Sequence, residues 1–69
     1  MKVGDLVRCI DPWGPDPHDD EEYHPMGMIY RRHSKRVHRW WVRFVSPAHI
    51  ANELDCLLDG DLEVLSEAP

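Results

Sequence analysis

The segment from Val37 to Ser46 constrains the fold most, because it carries the clearest strand pattern in the chain. It reads VHRWWVRFVS and combines β-branched with aromatic residues, which strands favour. One face of such a strand would carry three large apolar side chains, those of Trp40, Val42 and Phe44. The other face would carry a tryptophan between two arginines: Arg39, Trp41 and Arg43. We expect the first set in the core and the second set outside.

The chain has 69 residues, which is enough for one small domain. A domain of this size buries about 60% of the surface of its unfolded chain, so its stability is marginal. A roomy catalytic pocket, a nucleotide-binding fold and a second domain are therefore not expected. We assign residues 1–66 to one domain and expect residues 67–69 to be a frayed tail.

Three further segments have strand patterns, each with alternating apolar residues. They are 3–10, 26–32 and 61–66. Residues 11–25 hold four of the six prolines, and proline removes backbone donors, so we expect a long acidic loop there without a regular element. An all-β fold follows from this distribution of strands.

The stretch 46–60 allows two interpretations. Ser46 and Pro47 at its start, Gly60 at its end and apolar residues at helical spacing favour a helix. Leu54, Cys56 and Leu58 at a spacing of two favour a strand after a loop. Periodicity alone does not decide between them.

The strand segments also resemble a known family. KVGDLVR at 2–8, PMGMIY at 25–30, WVRF at 41–44 and DLEVLS at 61–66 follow the order seen in small stand-alone SH3-like proteins of tailed bacteriophages, including cyanophages. The loop 11–25 is longer and more acidic than the family pattern, and 46–52 carries an insertion.

The resemblance implies a small five-stranded SH3-like barrel, with the long acidic loop after the first strand. It favours a fourth strand just before the last one, with Leu54, Cys56 and Leu58 pointing inward, and leaves room for a short helical turn near 47–58. It also implies a phage protein that resides in the cytoplasm of the host cell or in the virion. It says little about function.

The charges are segregated along the chain. All thirteen carboxylates lie in 5–22 or 53–67, whereas six of the eight basic residues lie between positions 31 and 43. The six are Arg31, Arg32, Lys35, Arg36, Arg39 and Arg43. A hairpin would gather them around Trp41, either to dock a protein or to bind nucleic acid, with Trp41 stacking on an unpaired base. The net charge of −5 argues against nucleic acid, and the acidic loop could also fold over the basic strands and neutralise them.

The densest polar cluster lies in the acidic loop and contains His18, Asp19, Asp20, Glu21, Glu22 and His24. Imidazoles and carboxylates are metal ligands, but their spacing here matches no known metal motif, so we expect a solvated loop and no metal or cofactor. No nucleophile is placed to work with these groups, so we expect no enzyme. Cys9 and Cys56 are too few for a disulfide scaffold and are expected to stay free thiols.

Trp13 and Tyr23 flank the acidic loop and loosely suggest a peptide-binding surface, on which prolines pack against aromatic rings. The ALYDY-like motif of a proline-binding groove is missing, so we expect at least one of these two rings to pack in the core. A marginal barrel could also bury Trp41 and an edge strand against a second copy. The sequence thus predicts a non-catalytic binding module with a protein partner or a homo-oligomeric state. No apolar run reaches eighteen residues, so no membrane span is expected.

Overall fold

A computed structural model describes residues 1–16 and 19–69 and has seven strands in that part of the chain. In chain order they are β1 (Leu6–Cys9), β2 (Pro15–Asp16), β3 (Asp19–Glu22), β4 (Met26–Arg32), β5 (Arg39–Ser46), β6 (Leu54–Leu58) and β7 (Leu62–Ser66). Two 3-10 turns, at Ala48–Ile50 and Asp59–Asp61, are the only helical elements of the described residues. The all-β prediction is therefore confirmed. None of the described helical elements is long or apolar enough to cross a membrane.

Five strands form one antiparallel sheet in the order β6-β5-β4-β1-β7. β1 therefore lies between β4 and β7, the last strand of the chain. Five strands agree with the sequence analysis. The sheet is open, with β6 and β7 as its two edges, so the closed barrel implied by the resemblance is not observed.

The core lies on one face of this sheet, which we call the inner face. Its buried residues come from four of the five strands and from the first 3-10 turn: Val7, Cys9, Ile29, Val42, Phe44, Ile50 and Leu62. Val42 and Phe44 are buried as the alternation in β5 predicts, and Trp40 packs against the cluster while remaining half-buried. The period of two along β5 was therefore a reliable guide to the core.

The acidic segment after β1 is not a plain loop, which corrects the expectation for residues 11–25. Its two short strands, β2 and β3, pair as an antiparallel hairpin. The Trp13 N–H donates to the Tyr23 carbonyl (2.9 Å) and the Tyr23 N–H donates to the Gly14 carbonyl (3.2 Å), which joins the two arms of the segment. Proline is compatible with this hairpin because Pro15 is the first residue of its strand.

The stretch 46–60 contains a helical turn followed by a strand, so both interpretations are partly right. The turn at Ala48–Ile50 places Ile50 in the core, and β6 covers Leu54–Leu58. The expectation that Leu54, Cys56 and Leu58 point inward is wrong. Leu54 and Leu58 are 50% and 40% exposed, and it is Leu57 that packs against the core.

The turn before β6 explains this reversal. Asn52 has a positive φ of 72°, and its N–H donates to the Phe44 carbonyl (2.7 Å). The resulting register sets Leu57 opposite Trp40, and residues directly opposite in an antiparallel pair share a face. Leu57 therefore lies on the inner face with Trp40.

The two ends of the chain meet at Asp5, which is 1% exposed. Its carboxylate accepts hydrogen bonds from the backbone N–H groups of Ala68 (2.8 Å) and Lys2 (2.9 Å), and it pairs with the Lys2 Nζ atom at 3.4 Å. The Ala68 N–H is the main cause of a lowered pKa of the Asp5 carboxyl. The expected frayed tail, 67–69, is thus held to the domain at Ala68.

Candidate interaction surface

The face of the sheet opposite the core carries the centre of the basic segment. Cross-strand pairing places Arg39 opposite Leu58, Trp41 opposite Cys56, and Arg43 opposite Leu54. We call these six residues the outer face. Trp41 is the middle one of the three outer-face residues on β5. Leu54 and Leu58 are therefore its diagonal neighbours across the strand pair, at about 7–8 Å between backbones. The outer face therefore combines an apolar centre with one arginine on each side of Trp41 along β5.

The ring of Trp41 is half-buried and already has two polar neighbours. The Arg31 guanidinium carbon lies 5.7 Å from the centroid of the indole, which is a cation–π distance. The His33 ring stacks on the same indole at 6.3 Å, with an interplanar angle of 10°. Trp41 is consequently a fixed part of the surface and not a bare ring.

His33 also organises the turn between β4 and β5. Its Nδ1 atom accepts hydrogen bonds from the backbone N–H groups of Lys35 and Arg36, both at 3.1 Å. An accepting Nδ1 carries no proton, so the neutral ring has its proton on Nε2. The Arg39 N–H donates to the Arg36 carbonyl (3.2 Å), which closes the turn. The basic side chains of the turn therefore extend from a backbone that is tied at three points.

A shallow pocket of about 380 Å³ lies at this turn and continues onto the outer face. We call it the turn pocket, and its lining residues are Lys35, Arg36, Val37, His38, Arg39 and Leu58. Asp59, the residue after Leu58, lies with its carboxylate 3.3 Å from the Nδ1 of His38. The pocket therefore offers three cationic side chains and two apolar ones.

The six basic residues of the 31–43 segment have no acidic partner among the described side chains. The ion pairs among the described side chains are Lys2–Asp5 and Arg8–Glu63, and the carboxylate of Asp59 contacts the Nδ1 of His38. Arg32 lies over the ring of Trp40 at 5.6 Å and donates to the Val37 carbonyl (3.3 Å). Neutralisation of these cations by the acidic segment, an alternative left open by the sequence, is not seen in the described part.

Arg43 is exposed and lies beside a second depression at the other end of the outer face. This depression, about 240 Å³, is lined by Val3, Gly4, Met28, Ile29, Tyr30 and Arg43. Met28 pairs directly with Arg43 across the sheet and is 39% exposed. The apolar surface around Trp41 thus extends from β6 across β5 to β4.

Trp13 and Tyr23 do not join this surface. The Trp13 ring meets the core residue Phe44 edge to face, at 5.1 Å and 80°. Tyr23 packs against the core, and its hydroxyl lies 3.2 Å from the Nε2 of His49. The candidate site residues therefore do not form one group. Most lie around Trp41 or in the turn, Arg32 lies over the inner-face ring of Trp40, and Trp13 and Tyr23 lie where the base of the acidic segment packs on the core.

Four residues of the site were not predicted from the sequence. Leu54, Cys56 and Leu58 had the right period but were assigned to the wrong face, and His33 was assigned no role. The alternation around Cys56 was the available signal for the first three. For His33 there was none, because its two backbone bonds and its stack depend on the folded turn.

No cluster of potential metal ligands occurs among the described residues. His18 of the acidic cluster lies outside them, as do the side chains of Asp19 and Asp20, and no group of three potential ligands occurs among the rest. Cys9 and Cys56 are free thiols. Burial, followed by the nearby carboxylates of Asp55 and Asp61, raises the pKa of the Cys9 thiol to about 11, so Cys9 is a protonated core residue at neutral pH.

Comparison of the chain with models of protein families, with curated proteins and with solved structures found no match.

Proposed function

We propose that this protein is a non-catalytic binding module that docks a protein partner on its outer face. The observation that carries the proposal is the outer face itself. Trp41, Leu54 and Leu58 form an apolar centre there, with Arg39 and Arg43 toward its ends and no acidic partner for them among the described side chains. Interfaces favour tryptophan and arginine, and an apolar patch with a polar rim is their usual anatomy.

We also propose that the fold is an opened SH3-like barrel, and that the protein acts as a phage accessory or virion-associated factor in the host cytoplasm or the virion. The strand order β6-β5-β4-β1-β7 supports the fold proposal. So do the long excursion after β1 and the 3-10 turn before the last strand. The phage setting rests on the resemblance of the strand segments alone.

Nucleic acid is the second candidate partner, and the unpaired cations favour it. The basic side chains on the outer face and in the turn could neutralise phosphates. Base stacking, which such modules use on exposed aromatic rings, is less accessible here because Arg31 and His33 already contact Trp41. Protein docking therefore remains our first proposal.

The proposal is tested by affinity capture from an extract of infected host cells, quantified by mass spectrometry. We expect a partner that the wild-type protein and Trp13→Ala capture in similar amounts. Trp41→Ala should capture at least tenfold less of it. Trp13 is the matched control because it is a partly exposed tryptophan remote from the outer face. Circular dichroism establishes that each variant is folded. Equal capture by folded Trp41→Ala and wild type would refute docking at the outer face.

A tryptophan-fluorescence titration with single- and double-stranded DNA at 50 and 200 mM salt tests the second candidate. Phosphate contacts release counterions, so binding through them weakens steeply as salt rises. Salt-sensitive quenching that disappears in Arg39→Glu would place nucleic acid ahead of protein. A flat response at both salt concentrations would remove it.

A further inference from the structure

We infer that the partner is an acidic extended peptide segment in which two carboxylates four residues apart flank an apolar side chain. Arg39, with the turn pocket, would receive one carboxylate, Arg43 would receive the other, and Trp41 with its leucine neighbours would receive the apolar side chain. This inference rests on the proposed function, because it names the class of partner for the outer face.

Charge is the first argument. Lys35, Arg36 and Arg39 converge on the turn pocket, and Arg43 lies four residues further along β5. The carboxylate of Asp59, which follows the pocket residue Leu58, contacts His38 and none of these cations. An anionic group entering the pocket would therefore meet cations that no described carboxylate has neutralised.

Spacing is the second argument. Residues of a strand rise about 3.3 Å each, so Arg39 and Arg43 are separated by about 13 Å along β5. An extended peptide lying along β5 has the same rise, and residues two apart share a face. Carboxylates at its first and fifth positions would face the two arginines, and its third side chain would face Trp41.

The apolar surface is the third argument, and it favours a peptide over a nucleic acid strand. Val37 and Leu58, which line the pocket, are 63% and 40% exposed, and Leu54 at the other end is 50% exposed. Aliphatic side chains of a partner gain by covering such surface, whereas a sugar–phosphate backbone does not. The ring of Trp41 is held in place by His33 and Arg31, so a partner side chain would contact a ring that is already fixed.

The turn backbone is ordered before a ligand arrives, which lowers the entropic cost of binding. Lys35 and Arg36 are tied to the Nδ1 of His33, and His33 and Arg39 are joined by a further backbone bond of 3.0 Å. His33 is therefore a positioning residue for the pocket.

The test uses three acetylated peptides with glycine ends, measured by isothermal titration calorimetry at 50 mM salt. Their centres are Glu-Ser-Leu-Ser-Glu, the uncharged Gln-Ser-Leu-Ser-Gln and the non-apolar Glu-Ser-Ser-Ser-Glu. We expect the first to bind at least tenfold more tightly than either control. Arg39→Gln should reduce that affinity about tenfold, whereas Arg8→Gln, which removes an arginine paired with Glu63, should leave it unchanged.

A second readout locates the bound peptide. Cys56 is half-buried on the outer face, and Cys9 is buried in the core with a pKa raised to about 11. Iodoacetamide should modify Cys56 and spare Cys9, and the first peptide should slow modification of Cys56 while Cys9 stays unmodified. Binding without protection of Cys56 would place the peptide elsewhere and overturn the inference.

The outcomes separate this inference from the proposed function. Equal binding of the charged and uncharged peptides, or no binding at all, would overturn the acidic-segment inference even if Trp41-dependent capture of a protein succeeds. Tighter binding of an eight-nucleotide dT strand than of the acidic peptide would overturn it in favour of nucleic acid. A concentration-dependent doubling of mass without peptide, abolished by Trp41→Ala, would overturn it in favour of a second copy.

Discussion

A single carboxylate, that of Asp5, joins both ends of the chain to the sheet. The carboxylate accepts hydrogen bonds from the backbone N–H groups of Lys2 and Ala68. The main-chain carbonyl of Asp5 accepts a third from the N–H of Ile29 in β4 (2.9 Å). A buried carboxylate is tolerated only when it is hydrogen-bonded or paired, and Asp5 is both. Asp5 is the one buried acidic side chain among the described residues, and its role is to hold the ends of the chain to the sheet.

Acid should weaken this junction. The pKa of Asp5 is lowered in the folded protein, mainly by the Ala68 N–H, so its stabilising contribution is complete above the unfolded pKa of about 4. As pH falls from about 4 through the lower folded pKa, the unfolded chain takes up the proton first and the contribution is lost. Urea unfolding at pH 7, 4 and 3 should show a smaller acid loss in Asp5→Asn than in wild type. Equal losses in both proteins would contradict this role.

At the scale of single elements, β6 has its two faces set by register and not by hydrophobicity. Leu57 and Leu58 are adjacent and chemically identical, yet Leu57 packs against the core and Leu58 lies on the outer face. Their pairing with Trp40 and Arg39 across the sheet decides which of them is inside.

Alanine substitutions at these two leucines test which of them faces the core. Leu57→Ala should lower the free energy of unfolding by about 2 kcal/mol, because a core contact is replaced by a cavity. Leu58→Ala should change it by less than about 0.5 kcal/mol, as surface substitutions do. Chemical denaturation followed by circular dichroism makes the comparison. A larger loss for Leu58→Ala would mean that the assigned faces are reversed.

The pairing of β4 with β5 depends on Gly27. A Cβ atom at this position would lie 2.5 Å from the carbonyl oxygen of Arg43 and 2.8 Å from a methyl group of Val42. Gly27→Ala therefore forces the strands apart and should cost about 2 kcal/mol or more. Gly60→Ala is the matched control, because nothing lies within 4 Å of its added Cβ. Thermal unfolding should show a lower Tm for Gly27→Ala alone; equal Tm values would contradict the close approach.

At the scale of the whole molecule, one sheet has a covered face and a bare one. The inner face is covered by Trp13, Tyr23 and Ile50 from the connecting segments, whereas the outer face and its cations have no such cover among the described residues. Like charges are concentrated in three regions of the chain, one basic region between two acidic ones, and the charges within each region repel one another.

Salt should therefore stabilise the protein. Raising NaCl from 20 to 200 mM shortens the Debye length from roughly 20 Å to below 10 Å and screens the repulsion within each region. We expect Tm to rise over this range and the rise to shrink in Arg36→Gln, which removes one of the clustered cations. A fall in Tm with salt would show that attraction between the acidic and basic regions dominates, and would count against a basic face open to a partner.

Much of the architecture could be predicted from local pattern. The strand Met26–Arg32 has the predicted bounds, and the alternation in Val37–Ser46 placed Val42 and Phe44 in the core. Arg31 lies beside Trp41, because two strands and a short turn keep neighbours in sequence close in space. Less could be said about the acidic segment, where proline concealed a hairpin that begins with Pro15.

The sequence by itself determined which segments are strands, since the period of two and the β-branched and aromatic side chains are local properties. It also determined that cations and carboxylates are segregated along the chain. Only the tertiary structure decided the face on which Leu54, Cys56 and Leu58 lie, the openness of the sheet, and the bonds that Asp5 and His33 make. Each of these depends on register or on contacts between distant residues, and shifting a strand by one residue exchanges its two faces without changing its pattern.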